Sequence, residues 1–178
     1  MRVTFTRMGD RRPVETVVER DDGVVYAMRG AGGGPDLPHD LVHLLVETEL
    51  GIADGVWGCV SDGVVWGSMR HVSGRRPPHA GERSDALKRE RGAAVMHAEG
   101  VADLVERLAA GAEVLPGQVP ASGIPRERLD AAAAVLREAT ARWAAAAPGD
   151  TWVLEWPARA ATRDRGRAPR RPARASGR

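Results

Sequence analysis

Residues 37–51 read LPHDLVHLLVETELG, and the way this stretch folds organises everything around it. Leu41, Val42, Leu44, Leu45 and Val46 spread over most of a helical circumference. His39, Asp40, His43 and Glu47 fall in one sector of roughly 100°, because a helix advances about 100° per residue. The pattern predicts a helix with Asp36 as N-cap, Leu37 and Pro38 in the first turn, and Gly51 at the C-terminus. Asp40 is the alternative cap, and it would leave His39 outside the helix.

Such a helix needs an apolar surface to cover, and the preceding residues supply strands. RVTFTRM (2–8) alternates with period two, and a turn is expected at Gly9-Asp10. PVETVVER and VVYAMRG flank Asp21-Asp22-Gly23, whose Asp-Gly pair predicts a type I′ hairpin. Three antiparallel strands are therefore expected before residue 30, ending where GAGGGPD (30–36) makes a regular element entropically expensive. Downstream, GVWGCVSDGVVWGSM (55–69) reads as a second hairpin about Asp62-Gly63, with Cys59 facing Trp66 and Val60 facing Val65. A Pro/Gly-rich loop leads to a helical region from Asp85 to Ala110, with a break expected near Gly92 or Gly100. LPGQVPASGIP reads as a connection, Pro125 opens a last helix carrying Leu129, Ala133, Leu136, Thr140 and Trp143, and TWVLEWP reads as a closing strand. The expected fold class is α+β, antiparallel strands and hairpins on three or four helices, with residues 1–158 as a single domain.

Charge and cysteine usage narrow the function classes. From Arg159 onward eight arginines face Asp164 alone, a net of +7, so the total of +2 leaves the preceding residues at −5. The tail 159–178 lacks the apolar content to order and is expected to be disordered, capable at most of weak, nonspecific nucleic-acid contact. Cys59 is the only cysteine, which excludes an internal disulfide and a zinc site built of several thiolates. The chain contains no apolar run of the roughly 18 residues that a membrane span needs and opens on alternating residues, so a cytoplasmic protein is expected. GAGGGP lacks the lysine and hydroxyl residue of a phosphate loop.

The polar sector of the helix carries the most specific chemistry. Imidazoles at i and i+4 lie about 6 Å apart at Cβ, close enough to chelate one ion such as zinc. HDLVH resembles the HExxH motif of zincin metallopeptidases, with aspartate in place of glutamate. The resemblance implies His39 and His43 as zinc ligands and Asp40 as the general base of a hydrolase. LPHDLVHLLVE with LEWP is also similar to a group of small uncharacterised bacterial proteins, which implies no activity. A zinc site needs a third protein ligand. His71, His79, His97 and Glu99 are the available donors, with His71 and His97 favoured, and Glu47 is expected behind His43 rather than on the ion. The competing expectation is a plain surface helix in a non-catalytic binding or scaffold module that meets a protein partner through the Trp57/Trp66 hairpin.

Overall fold

A computed structural model of the chain describes residues 1–9 and 12–157. Asp10 of the expected Gly9-Asp10 turn and the tail 159–178, with its disorder and nucleic-acid contact, lie outside the described residues. Ten elements follow in order: β1 (Arg2–Thr6), β2 (Pro13–Glu19), β3 (Val25–Gly33), α1 (His39–Leu50), α2 (Val56–Ser61), β4 (Met69–Ser73), α3 (Ala80–Ala109), α4 (Gln118–Ser122), α5 (Arg126–Ala145) and β5 (Thr151–Glu155). The fold is α+β, with the strands in one antiparallel sheet of order β4-β3-β2-β1-β5. No helix among the described residues is long and apolar enough to cross a membrane.

Period-two alternation gives the sheet its single buried face. Val3 pairs with Val18 and Leu154, and Phe5 with Thr16 and Trp152, so these side chains share one side. Val3, Phe5 and Val18 are fully enclosed there, while Val153 on the opposite face is 50% exposed. Trp152, Leu154 and Trp156 all pack on the core that this inner face builds, as the alternation in TWVLEWP predicts.

Helix α1 joins two apolar clusters. Leu41 and Leu44 belong to the cluster on the sheet, with Phe5, Tyr26 and Trp57. Val42, Val46 and Leu50 belong to a second cluster with Val101, Leu104 and Val105 of α3 and Leu129 and Leu136 of α5. With an apolar layer on each side, little of its circumference remains for water. Each buried Val or Leu contributes roughly 1.5–3 kcal/mol, which places α1 among the most strongly held elements of the molecule.

Several local expectations are corrected. The residues 55–69 do not form a hairpin: residues 56–61 are helix α2, and Cys59 lies buried in it instead of facing Trp66 across a ladder. Helix α1 begins at His39 with Pro38 as N-cap, not at Asp36. Leu37 precedes a proline and is thereby kept out of the α region, so the helix cannot start before that proline. Strand β3 runs on through the glycines to Gly33, with a register shift opposite Pro13 and Glu15. In the β2–β3 turn only Gly23 has positive φ, at 77°, and its N–H donates to Arg20 O at 2.9 Å, so the loop is not the expected type I′ turn.

Helix α3 is unbroken over 30 residues, through both Gly92 and Gly100. A helical glycine costs about 1 kcal/mol against alanine, less than burial of the Val and Leu side chains that pack this helix against its neighbours returns. The connection at 115–125 also contains a short helix, α4. The described residues thus hold five helices where three or four were expected, the two additions being only 6 and 5 residues long.

Two glycine substitutions should move stability in opposite directions. A Cβ at Gly100 meets nothing within 4 Å, whereas one at Gly58 would lie 1.9 Å from Ala53 O. In urea unfolding Gly100→Ala should raise the unfolding free energy by up to about 1 kcal/mol, and Gly58→Ala should lower it by about 2 kcal/mol or more.

Candidate metal centre

Only the first residue of the polar sector of α1, His39, is exposed. His43 and Glu47 are each only 1% exposed, because the helix is covered on both sides. A buried carboxylate costs several kcal/mol unless hydrogen bonds replace its water. Glu47 receives them from the first turn of α2: Val56 N–H donates to Oε1 at 2.8 Å and Trp57 N–H to Oε2 at 3.0 Å. The carboxylate thereby caps a helix distant in sequence, and this explains why residues 56–61 coil rather than pair as a strand. A Cβ at Gly55 would lie 2.5 Å from Glu47 Cδ, so only glycine lets the α2 backbone approach this closely.

His43 stands between two carboxylates. Its Nδ1 lies 3.2 Å from Glu47 Oε1 and its Nε2 lies 3.1 Å from Glu99 Oε2. With both carboxylates ionised, only a doubly protonated ring can donate to both. Burial pushes the imidazole pKa down, but the hydrogen bond to Glu47 and the charges of Glu99 and Glu47 outweigh it, leaving His43 above the ordinary range.

His39 is the first residue of α1, and its Nε2 lies 3.8 Å from the same Glu99 oxygen. The His39 and His43 rings meet edge to face with centroids 4.7 Å apart. One donor atom from each of His39, His43 and Glu99 lies within 4.8 Å of the other two, so this group could hold a metal ion. A tetrahedral ion with ligands about 2.0–2.1 Å away requires donor separations of about 3.3 Å, and the two distances to Glu99 bracket that value. Behind the ring, the Glu47 carboxylate on Nδ1 would orient His43 were it to ligate a metal, and would leave Nε2 as the nitrogen facing the ion.

The third donor is Glu99, not the favoured His71 or His97. His71 lies on β4, with Nε2 2.9 Å from Gly74 O and its ring against Tyr26. His97 is exposed on α3, and His79 precedes that helix with its ring 3.4 Å from Glu82. Glu99 is among the four candidate donors, and it borders the face of α3 that Val95, Ala98 and Ala102 turn inward, whereas the exposed His97 does not.

Asp40 follows His39 at the start of α1, where Trp57 Nε1 donates to the Asp40 carbonyl at 2.8 Å and ties α1 to α2. Burial pushes the Asp40 carboxyl pKa up, against the pull of His39 and His43. Strand β3 passes close by, since a Cβ at Gly30 would lie 3.1 Å from Asp40 Oδ2. Asp40 and Glu99 form part of the wall of a cavity of about 190 Å³ whose other walls are largely apolar. No protein-family model, curated protein or solved structure matches the chain.

Two outcomes test this geometry in metal-free protein. A histidine whose folded pKa is raised stabilises the fold fully below its unfolded value of about 6.5, and the contribution disappears as pH rises through the folded value. Unfolding free energy should therefore fall with pH across that window, and His43→Gln should remove this slope. Gly55→Ala should displace Glu47 and lower stability by about 2 kcal/mol or more in denaturant melts.

Proposed function

We propose that the chain binds one zinc ion through His39, His43 and Glu99 and uses it, with Asp40 as base, to hydrolyse a carbonyl compound. The observation that supports this reading most directly is the convergence of three donors on one point, with a buried carboxylate behind the innermost imidazole. Structural zinc sites use four protein ligands and catalytic sites three, so a group of three favours catalysis. Two imidazoles and one carboxylate suit zinc, and also ferrous iron, which elemental analysis tells apart.

A bound ion would act as a Lewis acid, polarising a carbonyl oxygen and making water acidic enough to ionise near neutral pH. The protein's own groups would do the rest. Asp40, raised by burial, is a stronger proton acceptor than an exposed aspartate and lies beside the donors. Glu47 would hold the His43 ring in its ligating tautomer. Asp40 reaches one methylene less far than the glutamate of the zincin motif, so the reading commits to hydrolysis and not to peptides. The partner-binding alternative cannot use the expected hairpin, because Trp57 is 1% exposed within α2 and the Trp57/Trp66 hairpin does not form, although Trp66 is only partly buried.

Purified protein should carry close to one equivalent of zinc, and His43→Ala and Glu99→Gln should each abolish retention. Absence of any transition metal near one equivalent, together with stability insensitive to a chelator, would overturn the proposal. Zinc affinity should increase with pH through the raised His43 pKa, since the ion displaces a proton from that ring. Asp40→Asn should retain zinc while hydrolysis of activated esters falls by about 100-fold or more.

A further inference from the structure

The cavity beside the three donors has the size and chemistry of a subsite. It measures about 190 Å³, with Asp40 and Glu99 in its wall next to the donor group. The remaining wall comes chiefly from Met28, Trp57, Val60, Trp66 and Val95, contributed by β3, α2, the α2–β4 loop and α3. Among the described residues, no lysine, arginine or histidine lines it. A phosphate or carboxylate group seated deep among these apolar side chains, away from the ion, would lose its water with no cationic wall residue to replace it, which disfavours an anionic substituent.

Volume narrows the class further. A cavity of roughly 150 Å³ accommodates benzene, whereas drug-sized ligands occupy about 300–1,000 Å³. A space of about 190 Å³ therefore suits one six-membered ring or a branched aliphatic group better than two fused rings. Rigid elements bound it on several sides, and Trp57 and Val60 are each 1% exposed and cannot easily yield.

We propose that this cavity is the specificity pocket of the hydrolytic site: it receives a neutral, apolar group no larger than a single ring, carried next to the carbonyl carbon under attack. The assignment rests on the metal-site reading above, which brings the carbonyl to His39, His43 and Glu99 at the edge of the pocket. It favours esters or amides of compact apolar acids over substrates with a charged or bicyclic group at that position.

Hydroxamates test this by affinity alone, since one end ligates zinc and the other can be varied. Calorimetric titration of the zinc-loaded protein should show benzohydroxamate binding roughly tenfold or more tighter than acetohydroxamate, as burial of the larger apolar area predicts. 2-Naphthohydroxamate should lose that advantage. Val95→Trp should fill the pocket, removing the benzohydroxamate preference while zinc content and acetohydroxamate affinity stay unchanged. Ser68→Phe, at an exposed position in the cavity wall, serves the same purpose should Val95→Trp fail to fold. Equal affinity for all three hydroxamates, or a benzohydroxamate preference that survives the filling variant, would overturn the pocket while leaving the zinc site standing. If the protein holds no zinc the metal reading fails by itself, and the pocket is then tested with benzene in ligand-observed NMR of the metal-free chain. Benzene binding that Val95→Trp abolishes supports it, and no binding overturns it.

Discussion

Burial of the Glu47 carboxylate is the constraint from which the arrangement of the site follows. A charge taken out of water must be met by hydrogen bonds, and each group that meets Glu47 is thereby given a place. Val56 and Trp57 turn their N–H groups toward it and start α2. Gly55 makes room by having no side chain. His43 presents Nδ1 to it, which leaves Nε2 directed at Glu99 on a different helix. One carboxylate thus sets the orientation of an imidazole, the conformation of the segment after α1, and the direction in which a ligand could be bound.

The same burial explains why the donor group lies at the N-terminal end of α1 and not along its length. The helix is enclosed between the sheet cluster and the α3/α5 cluster. At its first turn His39 leaves the packed layers and remains half exposed, while His43, one turn deeper, is sealed. The gradient from solvent to core across a single turn places an accessible donor beside an oriented one. It also places Asp40 where burial raises its pKa without removing it from the neighbouring cavity.

Much of the fold was legible in the residues because it depends on local periodicity. Alternation identified β1, β2, β3 and β5, and helical spacing identified α1 and α5, since these patterns record which side of each element is buried. The errors have physical causes. Residues 55–61 contain Trp, Cys and Val, which suit a buried strand as well as a buried helix, and the choice came from a capping carboxylate eight or more positions upstream. Gly92 and Gly100 predicted a break that long-range packing of α3 outweighed. At the start of α1 the restriction on Leu37 before Pro38 outweighs the capping preference of Asp36, so the helix begins at His39.

The sequence by itself determined the α+β class, the strand and helix periods and the pairing of His39 with His43 on one sector, because each is a property of residues within a few positions of one another. Tertiary structure alone decided that His43 and Glu47 in this sector are buried, that Glu99 joins the donor group in place of His71 or His97, and that an apolar cavity opens beside Asp40. Those outcomes depend on how α1 and α3 pack through residues more than fifty positions apart, and the contact energies that set this packing belong to the folded chain and leave no period in the sequence.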